Sequence, residues 1–209
     1  MRPRRPACSA AAALSLLLAA VSPAVAEPVV FRLEPERSFV QFEVLHFGTS
    51  TSRGRFGPIA GEVTLDREAH TGSARIVIDT TGVSTGLRVF DARIRRADLL
   101  ASTDFPQAVF AVEVFRFDGD RLVEVSGTLT LRGVSRPLVL RALRFGCQMQ
   151  VMPPVASQAA SQATSQAAPE ACGGDFEGEL LRSDFGIDYL LPLVADRVRL
   201  QVQVQGRAP

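Results

Sequence analysis

The chain contains no lysine and no tryptophan, a single tyrosine, two histidines and three cysteines among 209 residues. Each shortage removes a class of function. Two histidines, His46 and His70, are too few for a three-histidine zinc centre, and no carboxylate spacing completes a mixed one. His70 lies in the turn-like Ala69-His70-Thr71-Gly72 and reads as solvated, which leaves His46 as the one base available to a catalytic triad. No Gly-x-Ser-x-Gly elbow accompanies it, so Ser183-Asp184 does not make a hydrolase, and no catalytic residue is expected. Charge of one sign is also missing: 23 basic residues stand against 22 acidic ones. That balance gives no electrostatic reason to expect nucleic acid or an anionic membrane as partner.

Long apolar runs are equally scarce. Ala10 to Val21 is apolar apart from Ser15, but it falls short of the ~20 residues that a bilayer core requires, and Ser22-Pro23 interrupts it. Arg2, Arg4 and Arg5 precede the run and Ala24-Val25-Ala26 follows it. These are the parts of a secretory signal peptide over residues 1–26, cut before Glu27. Arg4-Arg5 also permits a weaker twin-arginine reading. The expected product is periplasmic, has no transmembrane segment, and keeps 183 residues as one domain, 27–209. Removing three arginines leaves 20 basic against 22 acidic residues, a net charge of −2.

What the mature part holds in excess is phenylalanine, 13 residues, which brings apolar area without a polar tip to satisfy. Cys8 departs with the signal. Cys147 and Cys172 remain, and two thiols in an oxidising compartment read as a disulfide. Soft copper ligation by Cys147, Met149 and Met152 is the competing reading.

Period-two alternation runs through the chain. Val194, Asp196, Val198, Leu200, Val202 and Val204 alternate with polar residues, Asp196 at the edge of the apolar face. Val123, Val125, Gly127, Leu129 and Leu131 form a second apolar set, and Val40, Phe42, Val44 and His46 share one side of a third strand. Ile76 with Ile78 and Val63 with Leu65 belong to two more. Asp118-Gly119-Asp120 marks a hairpin between strands 108–117 and 121–131, and Arg132-Gly133-Val134 turns the chain into a strand over 138–145. Eight or nine strands on short connections predict an all-β fold, an antiparallel barrel of about eight strands.

Two segments depart from the alternation. Leu87–Leu100 reads as a short helix near the barrel mouth, with Phe90, Ile94, Ala97 and Leu87 on one face. Residues 148–171 carry Ala-Ser-Gln-Ala twice and then Thr-Ser-Gln-Ala, and read as a low-complexity loop inserted in a hairpin. A bridge at its base would contribute about 3 kcal/mol.

Several patterns together resemble the YceI-like family of exported bacterial lipid-binding proteins over nearly all of the mature chain. They are Ser38-x3-Phe42-x3-His46 with Gly48, Gly54-x-Phe56, Gly61-x-Val63, Phe105-Pro106, Gly127-x-Leu129-Thr130-Leu131-Arg132-Gly133-Val134-x-Arg136-Pro137, Arg182–Ile187 and Asp196-x-Val198. The resemblance implies a lipocalin-like barrel around a polyisoprenoid or an isoprenoid quinone, with no catalytic residues and no cofactor beyond that lipid. Members commonly carry histidine in the helix where this chain has Arg93.

Phe42, Val44, His46, Phe56, Arg93, Phe110 and Phe185 are the candidate ligand contacts. For His46, a core histidine bonded to backbone or to a neighbouring hydroxyl competes with a ring that meets a ligand's polar end. Arg93, Arg95 and Arg96 read either as a solvated face or as a cap for an anionic head. Two other functions stay open: a redox accessory module holding haem, quinone or copper, and a structural stress-response β-protein whose phenylalanines fill a solid core.

Overall fold

The computed structural model describes residues 27–149 and 170–209. The expected signal segment 1–26 and the central part of the Ser/Gln/Ala-rich segment lie outside the described residues. The strands reach Met149 on one side of that segment and resume at Glu170.

Among the described residues, ten strands form one antiparallel sheet: β1 (Val29–Leu33), β2 (Phe39–His46), β3 (Ser50–Phe56), β4 (Ile59–Asp66), β5 (Thr71–Asp79), β6 (Gln107–Asp118), β7 (Arg121–Leu131), β8 (Val134–Met149), β9 (Glu170–Leu181) and β10 (Val194–Arg207). They amount to eight staves. β1 pairs with β4 and β2 with β3, so β1–β2 and β3–β4 are two long strands, each bent once. The bends fall at the 3₁₀ turn Pro35–Arg37 and at the cis Gly57–Pro58 peptide. Counted this way, every stave pairs with its sequence neighbours. β10 closes the ring against β2 over most of its length and against β1 at Leu33↔Gly206 and Arg32↔Arg207. Among the described residues β3 has β2 as its one strand partner, and its other side is met by the chain after β5 at a single bridge, Arg55 to Ser84.

Ser38 shows what the bend demands. Where β10 changes partner from β2 to β1, Gln205 O accepts from Glu34 N at 2.7 Å. The buried Ser38 hydroxyl accepts from Gln205 N at 3.0 Å and donates to Gln205 O at 3.2 Å. One hydroxyl thus meets part of the requirement that buried backbone be hydrogen-bonded. Gly127 is fixed by close approach instead: a Cβ there would lie 1.9 Å from Ala111 O on β6. Arg132 and Gly133, with φ of 52° and 72°, form the tight turn expected between β7 and β8.

The outer wall is polar and its charges sit opposite one another. Arg53–Glu43, Arg32–Glu62, Arg116–Glu124, Arg141–Glu177 and Arg144–Asp175 are directly facing pairs on neighbouring strands. Each is exposed and contributes about 0.2–1 kcal/mol at most.

Three expectations need correction here. The β6–β7 register shifts between Arg116 and Phe117, where Val123 is the extra residue, so Leu122 and not Val123 joins the core. The helix α1 spans Arg88–Ile94 alone; the chain then turns, with Leu100 N bonded to Ile94 O and Ser102 N to Arg95 O. Leu87 and Ala97 are exposed, and Leu99 with Leu100 supplies the inward apolar surface in their place. His70 is more than solvated: its ring stacks on Phe117 at 5.0 Å and meets Asp120 at 3.3 Å.

One end of the barrel is plugged. Phe31, Leu65 and Cys172 are buried together with Val63, Phe115, Phe117, Phe145 and Cys147 packed on them. Cys147 and Cys172 face each other across β8 and β9 and are disulfide-bonded, with their Cα atoms 4.0 Å apart. The opposite end carries the 46–50 turn, α1, the Arg132-Gly133 turn and the loop from Arg182 to Val194.

Candidate binding cavity

Between these ends the interior is hollow. Inward side chains of all eight staves line one cavity of about 490 Å³, within the range of small-molecule sites. The alternation read from the sequence supplies the walls: Val40, Phe42 and Val44 from β2, Ile76 and Ile78 from β5, Leu129 and Leu131 from β7, and Val198, Leu200, Val202 and Val204 from β10. Phe115 and Phe145 lie at the plugged end and belong to both plug and wall. A solid core is therefore not the packing of this interior, and that alternative falls. The eight-stranded ring is wide enough for side chains or for one ligand, and here the side chains do not fill it.

The cavity approaches solvent at the α1 end. Of its lining residues, Tyr189 (40% exposed) and Leu190 (37%) are the ones solvent reaches most, and both stand in the loop at that end. Phe90, Arg93 and Ile94 face the cavity from α1 on the opposite bank. Thr80 fastens the α1 segment to the end of β5. Its hydroxyl donates to Phe105 O at 2.8 Å, its N–H to Pro106 O at 2.9 Å, and its carbonyl accepts from the Ser102 hydroxyl. Asp91 holds the entry to α1 by accepting from the Thr85 hydroxyl and N–H. The Thr85 hydroxyl first, and the N–H next, hold the Asp91 carboxyl below its ordinary range.

Six of the seven candidate contacts line this cavity: Phe42, Val44, His46, Phe56, Phe110 and Arg93. Phe42 and Phe56 meet with ring centroids 5.3 Å apart, and the Phe42 ring lies over Gly54, where a Cβ would come within 2.4 Å of it. Phe185 does not line it. The 3₁₀ turn Arg182–Phe185 carries its ring into the packed core, and Ile187 and Leu180 present to the cavity there. The His46 ring sits edge-on to Phe47 at 4.5 Å and has no hydrogen-bond partner, backbone or hydroxyl, among the described residues. Ser52, on the neighbouring strand, lines the same wall, likewise without a partner among the described residues.

The arginines sort into different duties. Arg93 grips Asp98 through two hydrogen bonds of 2.6 and 2.5 Å, and its guanidinium lies 4.2 Å from the Tyr189 ring centroid. Hydrogen bonding to Asp98, with Tyr189 adding to it, raises the Arg93 pKa, and the same bond lowers that of Asp98. Arg95 donates to Thr81 O, and Arg96 is exposed. The buried Arg182, missed as a site residue, donates to Ala195 O, Tyr189 O and Val194 O at 2.7–2.9 Å and so anchors the whole loop. Burial depresses its pKa, partly offset by Asp196. Burial acts most strongly on Asp196 and raises it, but the Ser183 hydroxyl and N–H with the Arg182 charge prevail, so its pKa is lowered. The Ser183 hydroxyl donates to Asp196 at 2.6 Å, in place of any triad.

Copper ligation by Cys147 is likewise displaced. The two sulfurs are bonded to each other, and their acidic neighbour Glu170 pairs with Arg67 at 2.8 Å. The Met149 side chain and Met152 lie outside the described residues.

The YceI-like domain family matches residues 31–206, which takes in nearly the whole barrel. The chain belongs to the YceI-like family. Protein YceI of Shigella flexneri is 31% identical over 193 residues, covering 92% of each chain, and that of Salmonella arizonae is 29% identical over 194. Solved structures share the fold at lower identity. BcnA of Burkholderia cenocepacia superposes with a TM-score of 0.62 at 18% identity, covering 83% of this chain and 98% of its own. A polyisoprenoid binding domain from Saccharophagus degradans, implicated in plant cell wall breakdown, gives 0.57 at 19% identity, with 87% and 99% covered. The barrel expected of a YceI-like chain is the one observed. Among the described residues, no helix is long and apolar enough to cross a membrane.

Proposed function

We propose that this YceI-like protein is a periplasmic binding or carrier protein that holds an isoprenoid lipid or isoprenoid quinone in its barrel and performs no chemistry on it. The observation that carries the reading is the cavity: about 490 Å³, walled almost entirely by Val, Ile, Leu and Phe. Apolar cavities of this kind favour apolar guests over water. Burial supplies about 25 cal/mol per Å² of guest surface before the costs of ordering it. The polyisoprenoid binding described for the Saccharophagus degradans domain supports the same chemical class here.

The polar groups of the cavity favour an uncharged head. Arg93 is spent on Asp98 and Arg182 on three carbonyls, so an isoprenoid diphosphate finds no free cation among them. His46 and Ser52 remain, and a quinone carbonyl suits such neutral donors. Export before binding rests on residues 1–26, outside the described residues; N-terminal sequencing of periplasmic protein is expected to begin at Glu27.

Organic extraction of purified protein, followed by mass spectrometry, is expected to recover an isoprenoid. Protein that is reproducibly empty, and that takes up no prenyl quinone when offered one in detergent, would falsify the reading.

A further inference from the structure

The open end of the barrel carries apolar side chains that nothing among the described residues covers. On the α1 bank Val89 is 86% exposed and Leu87 67%; on the other bank Phe47 is 53% and Leu193 55% exposed. Phe47 N bonds Leu193 O at 2.8 Å, and Arg93 of α1 lies against Tyr189, so both banks border one opening. Scattered exposed hydrophobics need no explanation, but a ring of them around the entrance to an apolar cavity does. The charges beside them are not balanced locally. On the α1 segment Asp91 is spent on Thr85, Asp98 on Arg93 and Arg95 on Thr81 O, which leaves two cations, Arg88 and Arg96, against one acid, Asp104, without a side-chain partner among the described residues. Asp184 and Asp188 lie across the opening, on the far bank.

We propose that this rim is a docking surface for an anionic phospholipid bilayer, with the α1 bank leading. The inference rests on the reading that the cavity takes a lipid. Val89, Leu87, Phe47 and Leu193 would enter the headgroup–acyl boundary while Arg88 and Arg96 meet lipid phosphates, the division of labour of an interfacial surface. Whole-chain charge hides this because most of the balancing acids lie off the α1 bank, Asp184 and Asp188 across the opening among them. Contact at the mouth also gives an apolar guest a path between bilayer and cavity that does not cross water, and the plugged end offers none.

The test is co-sedimentation of the mature protein with vesicles of phosphatidylcholine alone and of three parts phosphatidylcholine to one of phosphatidylglycerol. Uptake of a prenyl quinone from detergent is measured in parallel. Wild-type protein is expected to sediment with the mixed vesicles, more weakly with the neutral ones, and less as salt rises. Phe47→Asp and Val89→Asp should each lower that binding about tenfold or more. Arg88→Gln and Arg96→Gln should lower it about fivefold each on mixed vesicles, the loss of about 1 kcal/mol per cation, and leave neutral vesicles unaffected. All four residues are exposed, so the thermal transition and quinone uptake from detergent should not move. Wild-type protein that ignores both vesicles, or variants that bind as well as wild type, overturn the proposal. So does a doubled mass in solution that Phe47→Asp returns to a monomer, because the rim then joins two copies of the chain. Failure of quinone uptake with vesicle binding intact would sink the cavity reading and leave the docking surface standing.

Discussion

At the plugged end Phe31, Leu65 and Cys172 are buried against a cluster of phenylalanines, and a covalent bond ties β8 to β9. At the open end the same eight staves are spanned by a seven-residue helix and an irregular loop, held by Arg182, Thr80, Asp91 and the Arg93–Asp98 pair. The first end is stabilised by apolar packing, which is non-directional and resists small shifts everywhere at once. The second adds to the buried Leu100, Phe185 and Ile187 a few directional bonds, each local to its own segment. A barrel built this way can admit a guest at one end without loosening the other, because stability need not be uniform along a sheet.

That contrast can be broken by mutation, most sharply at the plug. Phe31→Ala should cost about 3–5 kcal/mol in urea unfolding, the range for truncating a fully buried phenylalanine. Phe90→Ala, facing the cavity, should cost about 1 kcal/mol or less while weakening quinone binding. Equal losses at both positions would erase the distinction between packed and hollow ends.

Replacing Cys147 and Cys172 by serine should lower stability by about 3.5 kcal/mol, the loop-closure value for a separation of 25 residues. Quinone affinity should not change, since the bridge lies at the far end from the mouth. Native wild-type protein should show no titratable thiol in its mature part; two would reject the bridge.

Arg182→Lys keeps the charge but not the three-way fork, and should cost about 1–3 kcal/mol. Hydrogen exchange is expected to rise over residues 186–195 and not over β8–β9 near the disulfide. Uniform loss of protection would mean that the loop and the sheet open together.

The smallest effect is in acid. Asp91, Asp98 and Asp196 all sit at the open end with pKa values held below the ordinary 3.8. A carboxylate whose folded pKa lies below its unfolded one adds stability that is fully present above the unfolded value and lost as pH falls through the folded one. Lowering the pH from 5 to below 3.8 should therefore loosen the α1 segment and the Arg182 loop before the plug, as read by amide protection. Earlier loss at Phe31 or Leu65 would reverse the comparison.

The sequence by itself determined the sheet. Period-two alternation in β2, β5, β7 and β10 assigns each residue to wall or exterior, and the turn residues at Gly119 and Gly133 set where staves end. The Cys147–Cys172 bridge was legible for a different reason, as the two thiols left in a chain read as exported, one at each end of the inserted loop. Where a local rule fails, tertiary structure decided. Val123 alternates correctly, yet a bulge hands its place to Leu122, because register depends on the partner strand as well as on the strand itself. Leu87 and Ala97 fit a helical stripe, but the helix ends at Ile94 when Leu100 N bonds back to Ile94 O. Phe185, Tyr189, Leu190 and Arg182 lie in a segment with no period, so nothing in their spacing distinguishes core from cavity wall. The hollow itself was implied by the family resemblance but not by the alternation of the strands. A residue pattern fixes which side chains point inward, whereas the space left between them depends on how eight staves close, a property of the ring that no single strand carries.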